Sequence, residues 1–348
     1  MADTSPSRPS PPDAVFKWLV AVYVCILSMV VLGGVTRLTQ SGLSIVQWKP
    51  IVGVIPPHTD AQWAAEFEAY RRATGQAAML FPGLTVEQFK TLFFWEFTHR
   101  LVGRLTGVVF FVPFVVFAAR RLVDRRLAMK LAAAFTFGGL QGLVGWVMVA
   151  SGLRPDAAHV NHIKLAMHLT LAFALMSGLV WILCDLKAPR NLTAPPRWLR
   201  VGARAFLAVL ALQIVYGAFT AGLRAGVFHN TFPTMSGHWI SPDTFASPLL
   251  ADITNNPATV QFIHRTLGWL LGLGAAWLWG TGQALRLRGR ARMALDAVGA
   301  LTLLQFALGV ATLLLVVPVW LGAWHQLNAA LLLSATVVLL HATQTRRA

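Results

Sequence analysis

The dominant pattern along the chain is one of long apolar runs separated by shorter polar stretches. The runs are about 20 residues long, enough to cross the hydrocarbon core of a bilayer as a helix. Eight such helices are expected, at residues 16–36, 93–119, 129–151, 162–184, 202–224, 258–284, 293–317 and 320–343. The polar stretches between them fall into two kinds. Three short ones are basic: Arg120, Arg121, Arg125, Arg126 and Lys130; Lys187, Arg190, Arg197, Arg200 and Arg204; and Arg286, Arg288, Arg290 and Arg292. With eight spans these segments and both termini share one side, which the positive-inside rule makes the cytoplasm. The opposite side holds two long loops, 37–92 and 225–257, with acids such as Asp60, Glu66, Glu68 and Glu87. Within the first loop Trp63, Phe67 and Tyr70 stand at i, i+4 and i+7, the stripe of a short helix. That helix either lies on the membrane surface or packs on the protein beside it.

The apolar runs also repeat. WEFTHRLVGRLTG at 95–107 answers VQFIHRTLGWLLG at 260–272. LQGLVG at 140–145 answers LLQFALG at 303–309, placing Gln141 over Gln305 and Gly145 over Gly309. AMHLTLA at 166–172 answers AWHQLNA at 323–329, and GGVTRLTQSG at 33–42 loosely answers GAFTAGLRAG at 217–226. The expected fold is therefore an all-α membrane protein. It has eight transmembrane helices arranged as two tandem four-helix bundles, residues 16–190 and 191–348, behind a Pro/Ser-rich disordered tail at 1–15. Each unit has an even number of spans, so both enter the membrane in the same direction. The pseudo-twofold axis relating them must then run along the membrane normal.

Composition agrees and removes one alternative. The chain has 348 residues, of which 56% are apolar and 12% charged, and a mean hydropathy of +0.61. A soluble domain carries about twice that charged fraction. The net charge of +16 resembles a nucleic-acid signal, but its confinement to the short connections marks topology and lipid contact instead. Cys25 and Cys184 lie in or at the edge of apolar runs and form no metal-binding or disulfide pattern.

Four of the ten histidines pair through the repeat: His99 with His264, and His168 with His325. In the expected topology each lies about 7–10 Å below the outer end of its helix, at 1.5 Å per residue. Each unit then offers two imidazoles at matched depth from its second and fourth helices, the arrangement of a bis-histidine haem site in a bundle. Gly103 and Gly268 follow His99 and His264 by four residues, one turn on along the same face, where a flat macrocycle needs room. Arg100 and Arg265 follow their histidines directly, and Arg104 lies one turn below Arg100. Propionates near the outer interface suit such guanidiniums. Two histidines per unit are too few for a zinc site. His159 and His162 stand at i, i+3 outside the fourth span, where either a transient metal site or interfacial solvation would suit them.

One position breaks the symmetry. Glu96 precedes His99 by three residues; its counterpart is Gln261. A carboxylate at this depth is a functional candidate, and it is also spaced for an i, i+4 ion pair with Arg100. Arg265 keeps the arginine without the acid. An acid in one copy points to proton-coupled chemistry at that haem site and electron transfer alone at the other.

These motifs resemble the haem A synthase family over essentially all eight spans. They are GGVTRLTQSGLSI at 33–45, QWKPIVGVIPP at 47–57, EFTHRLVGR at 96–104, LQGLVGWVMVASGL at 140–153 and the four paired histidines. The resemblance implies an oxidoreductase of a bacterial inner membrane that converts haem O to haem A for cytochrome oxidase. It implies oxidation of one haem methyl to a formyl group by successive hydroxylations and loss of water. It further implies that His99 and His168 flank the haem O site, that Glu96 is the catalytic carboxylate, and that His264 and His325 ligate a haem b cofactor. Arg37 and Trp48 would cover the substrate site. Part of the family carries a cysteine pair in an outer loop; this chain has none there, so it resembles the branch without it. Haem O synthase would be a natural upstream partner, and a quinone or a small redox partner the electron acceptor. Two other classes compete. A di-haem b-type electron-transfer cytochrome would give Glu96 no role, and its haems would more naturally stack along the normal. A transporter would typically break its helices at the midplane.

Overall fold

A computed structural model describes residues 13–49, 53–187, 196–246 and 248–344. Among these residues it holds eleven α-helices and no strand. The helices are α1 (Asp13–Leu38), α2 (Asp60–Ala73), α3 (Gln76–Leu80), α4 (Val86–Ala119), α5 (Arg125–Ala150), α6 (His162–Lys187), α7 (Arg197–Gly222), α8 (Leu249–Asn255), α9 (Pro257–Ala284), α10 (Gly289–Leu314) and α11 (Val319–Ala342). Residues 1–12 of the expected N-terminal tail lie outside the described residues; its last three, 13–15, are helical and open α1, so the tail is shorter than expected.

Seven helices are long and apolar enough to cross a membrane: α1, α4, α5, α6, α7, α10 and α11. The eighth expected span is α9. It forms a single helix of 28 residues, but its His, Arg, Gln and glycines keep it outside that set.

Several helices extend past the apolar runs because their ends are capped. Thr85 and Gln88 form a reciprocal capping box, so α4 begins seven residues before the apolar run and reaches 34 residues. The added turns carry Phe89, which with Phe93 at the start of the apolar run packs against Phe67 and Tyr70 of α2. The Trp63/Phe67/Tyr70 stripe is therefore covered by protein rather than by the membrane surface, and Trp63 stands edge-on to Phe93 at 5.1 Å. Asp124 caps α5 by accepting from Leu127 N at 2.7 Å. Asn256 caps α9, with Pro257 in its first turn.

The sequence repeat reappears in the backbone. Gln40 and Arg224, aligned across it, both take left-handed φ angles, 59° and 55°, just past α1 and α7. Arg121 and Arg286 do the same after α4 and α9, at 55° and 49°. Helix α1 packs on α4, and α7 on α9; α5 packs on α6, and α10 on α11. The halves meet where α1 lies on α11, α7 on α6, and α6 on α11. A matched exchange of side chains marks these seams. Leu38 of α1 fills the space beside Gly322 of α11, while Leu165 of α6 approaches Gly222 of α7. One apolar cluster runs across the join, including Val30, Phe173, Met176, Leu210, Leu271 and Leu332. Both cysteines are free; Cys184 is buried.

Candidate functional site

The four paired histidines stand on α4 (His99), α6 (His168), α9 (His264) and α11 (His325). His99 lies within electrostatic reach of His168, and His264 of His325. Each ring leans on a glycine of a neighbouring helix. A Cβ on Gly33 would sit 3.3 Å from His99 Nε2, and one on Gly217 3.2 Å from His264 Cε1. A Cβ on Gly145 would sit 2.8 Å from His168 Cε1, and one on Gly309 3.0 Å from His325 Cε1. Gly33 aligns with Gly217, and Gly145 with Gly309. All four cradles thus obey the repeat, and none tolerates a larger residue without moving a ring.

Amides steady the rings. Gln141 Nε2 lies 3.1 Å from His168 Nδ1, and Gln305 Nε2 lies 3.2 Å from His325 Nδ1. Asn328 donates to Gln305 Oε1 at 2.8 Å and so orients that amide. Gln213 Nε2 approaches His264 Nε2 at 3.4 Å, leaving His264 Nδ1 buried without a hydrogen-bond partner. An orphaned imidazole nitrogen inside a protein is costly as a hydrogen-bonding group and natural as a metal ligand. The donor set therefore fits an iron porphyrin in the second half. Gly103 and Gly268 face Met29 and Gln213 respectively, at 3.3 and 3.8 Å from a built Cβ.

Glu96 is only 2% exposed, and both its oxygens are held. Oε1 accepts from Arg100 Nη2 at 2.6 Å. Oε2 accepts from Ser44 Oγ at 2.7 Å and from Ile45 N at 2.8 Å. The expected ion pair therefore forms, and the carboxylate also clamps the loop after α1. Gln261, equally buried, meets the opposite polarity. Its Nε2 donates to Ala225 O at 3.0 Å and His229 O at 3.3 Å, and its Oε1 has no partner.

The arginines tie down the same loops. Arg100 donates to Ile45 O and Gln47 O at 2.8 and 3.0 Å. Arg265 donates to His229 O and Thr231 O at 2.7 and 2.9 Å. Arg104 Nη2 donates to Lys49 O at 2.9 Å. Arg37 lies within electrostatic reach of Arg224. Both flank His159, whose imidazole is held below its ordinary pKa by burial first and then by these two charges. Tyr70, whose Oη donates to Gln76 at 3.0 Å, is pushed above the ordinary phenol range by burial and then by the charge of Glu96. His162 is separate from His159 in role: it bonds Thr254 O at 2.9 Å. Among the described residues no group of three or more His, Cys, Asp or Glu side chains could hold a metal ion.

Sequence reasoning missed the four glycine cradles, the glutamine partners and the Ser44–Ile45 clamp. The paired glycines and glutamines lay within the repeated segments, so the repeat itself was the signal that could have found them.

Comparison with known proteins supplies the context. The family model COX15-CtaA, described as a cytochrome oxidase assembly protein, matches residues 16–337. The chain is 43% identical over 328 residues to the haem A synthase of Nitrosospira multiformis, covering 93% of this chain and 92% of that protein. It is 44% identical over 330 residues to the haem A synthase of Methylorubrum extorquens strain PA1, covering 93% and 85%. It is 41% identical over 335 residues to that of Parvibaculum lavamentivorans, covering 94% of each.

Proposed function

The chain belongs to the COX15-CtaA family of cytochrome oxidase assembly proteins, and we propose that it is a haem A synthase, oxidising a methyl group of haem O to a formyl group. The observation that carries the reading is the buried, fully engaged Glu96 beside one histidine pair, against Gln261 beside an otherwise matching pair.

In this reading His99 and His168 hold haem O, and His264 and His325 hold a resident haem b. When bound, haem b supplies one-electron transfer. The protein's own part is positional and protic. Each hydroxylation of a methyl carbon by water releases two protons and two electrons. Glu96, next to the substrate pair, is placed to accept a proton, with Arg100 stabilising the carboxylate between turnovers. Arg37, Arg100, Arg104 and Arg265 line the loop side of the two sites, where propionates would face them. The electrons leave to a quinone or a small redox partner, and haem O synthase is the upstream partner.

The architecture we propose has α9 as the eighth span, with residues 16–190 and 191–348 as two four-helix units about an axis along the membrane normal. The aligned left-handed turns and the four glycine cradles support it. The chain would sit in the bacterial inner membrane, with cytoplasmic termini and the histidine pairs toward the periplasm. The basic connections at the opposite ends support that orientation.

Extraction of haem from the purified protein tests the reading. Haem b together with haem O, a hydroxylated haem or haem A is expected; haem b alone would instead favour a di-haem cytochrome. In Glu96→Gln, haem b should stay at the wild-type ratio while haem A formation falls by at least about a hundredfold, the scale of general acid–base catalysis. Normal turnover in that variant would remove the carboxylate from the mechanism.

A further inference from the structure

The seam between the second and third long helices is built differently in the two halves. In the second half Trp269 of α9 meets Phe306 of α10 with ring centroids 4.7 Å apart. Phe232, from the loop after α7, closes on both, at 5.9 and 5.8 Å. The repeat places Arg104 where Trp269 stands and Gly142 where Phe306 stands. Arg104 reaches out to Lys49 O, and a Cβ on Gly142 would meet nothing within 4 Å. The matched loop bonds of Arg100 and Arg265 align Trp48 with Phe232, yet Trp48 turns to Trp146, 5.1 Å away.

The difference continues inward. Residues 135–140 of α5 are all exposed, and six consecutive residues cover every side of a helix. The aligned stretch 299–304 of α10 has Thr302 buried and Gly299 and Leu301 half-buried. A packed membrane helix exposes only its outer side. Phe135 closes the deep end of the seam by stacking on Phe110 and Phe111 of α4, at 5.7 and 5.1 Å; above it the inner side of α5 borders a hollow, for Gly138, one turn from Gly142, also has open space beside it.

We propose that this hollow between α4 and α5 takes the isoprenoid tail of haem O, and that Gly142 lets the first half accept a tailed haem that the second half excludes. The proposal rests on the haem A synthase reading above. Haem O differs from haem b chiefly by one long apolar chain. The histidines and their glycine cradles are alike in both halves, so they cannot tell the two haems apart. The volume that Phe306 and Trp269 fill in one half, and that Gly142 leaves open in the other, can. Gly142 lies three residues from Gly145, the glycine against His168, and the seam below it is bordered by the apolar rings of Phe110, Phe111 and Phe135, as a prenyl chain requires.

Gly142→Phe copies the second half. Its side chain enters open space, and haem b bound in the second half reports that the protein has folded. Purified protein is titrated with haem O and, separately, with haem b as the tail-less probe. The apparent Kd for haem O should rise about tenfold or more, a loss in keeping with several buried methylenes. That for added haem b should change by less than about twofold. Gly138→Leu, deeper in the hollow, should show the same selectivity and decides the matter if Gly142→Phe lacks haem b. Unchanged haem O affinity overturns the proposal. So does an equal loss of both haems, which would place position 142 against the macrocycle. A wild-type protein that fails to bind haem O would instead overturn the underlying reading.

Discussion

A histidine in a membrane helix acquires its meaning from what lies across from it. Here each of four rings faces a glycine, and the tightest cradle is Gly145, whose Cβ would come within 2.8 Å of His168. Gly309→Ala should push the His325 ring off its axis and lower the ratio of haem b to protein. Overpacking of this kind costs about 1–3 kcal/mol. Gly272→Ala, on α9 with nothing within 4 Å, should leave that ratio unchanged; haem b absorbance per protein distinguishes them. The histidines themselves were legible because the repeat singled them out from ten. Their cradles were not, because a glycine has no side chain to betray which helix it faces. The partners of Glu96 were hidden for another reason. Ser44 and Ile45 lie more than fifty residues away in sequence, in a loop with no period to read.

At the scale of elements, hydropathy located every long helix, and capping residues decided where several of them begin. Asp124 and the Thr85–Gln88 box start α5 and α4 well before their apolar runs. What hydropathy could not show is how helix ends are tied. At the basic end Asp185 of α6 accepts from Lys130 of α5 at 2.8 Å and from His341 of α11 at 3.0 Å. His341, 8% exposed, sits edge-on to Trp181 at 4.9 Å. Asp185→Ala removes an acceptor from a buried ring and should destabilise the protein by about 1–3 kcal/mol. Asp185→Asn keeps an oxygen for His341 and should lose less. Thermal unfolding followed by loss of haem b absorbance measures both, and a wild-type midpoint in Asp185→Ala would show that the tie contributes nothing.

At the scale of the molecule, the two halves share a plan and differ in the polarity of their roofs. The first loop presents donors to Glu96, the Ser44 hydroxyl and the Ile45 amide. The second presents acceptors to Gln261, the carbonyls of Ala225 and His229. The Glu-to-Gln difference is therefore built into each loop and is more than a change at one position. Exchanging the two residues should not exchange the roles of the halves. In Gln261→Glu the carboxylate would face two carbonyl oxygens in a buried setting, with Arg265 already committed to the same loop. An acid without donors is expensive there. The double variant Glu96→Gln/Gln261→Glu is accordingly expected to form no haem A and to hold haem b less well than Glu96→Gln alone. Recovery of haem A formation in the double variant would mean that the acid works from either half, and that the loops play no part in placing it. Loss of haem b in the double variant, with retention in Glu96→Gln, is the pattern that opposed roofs require.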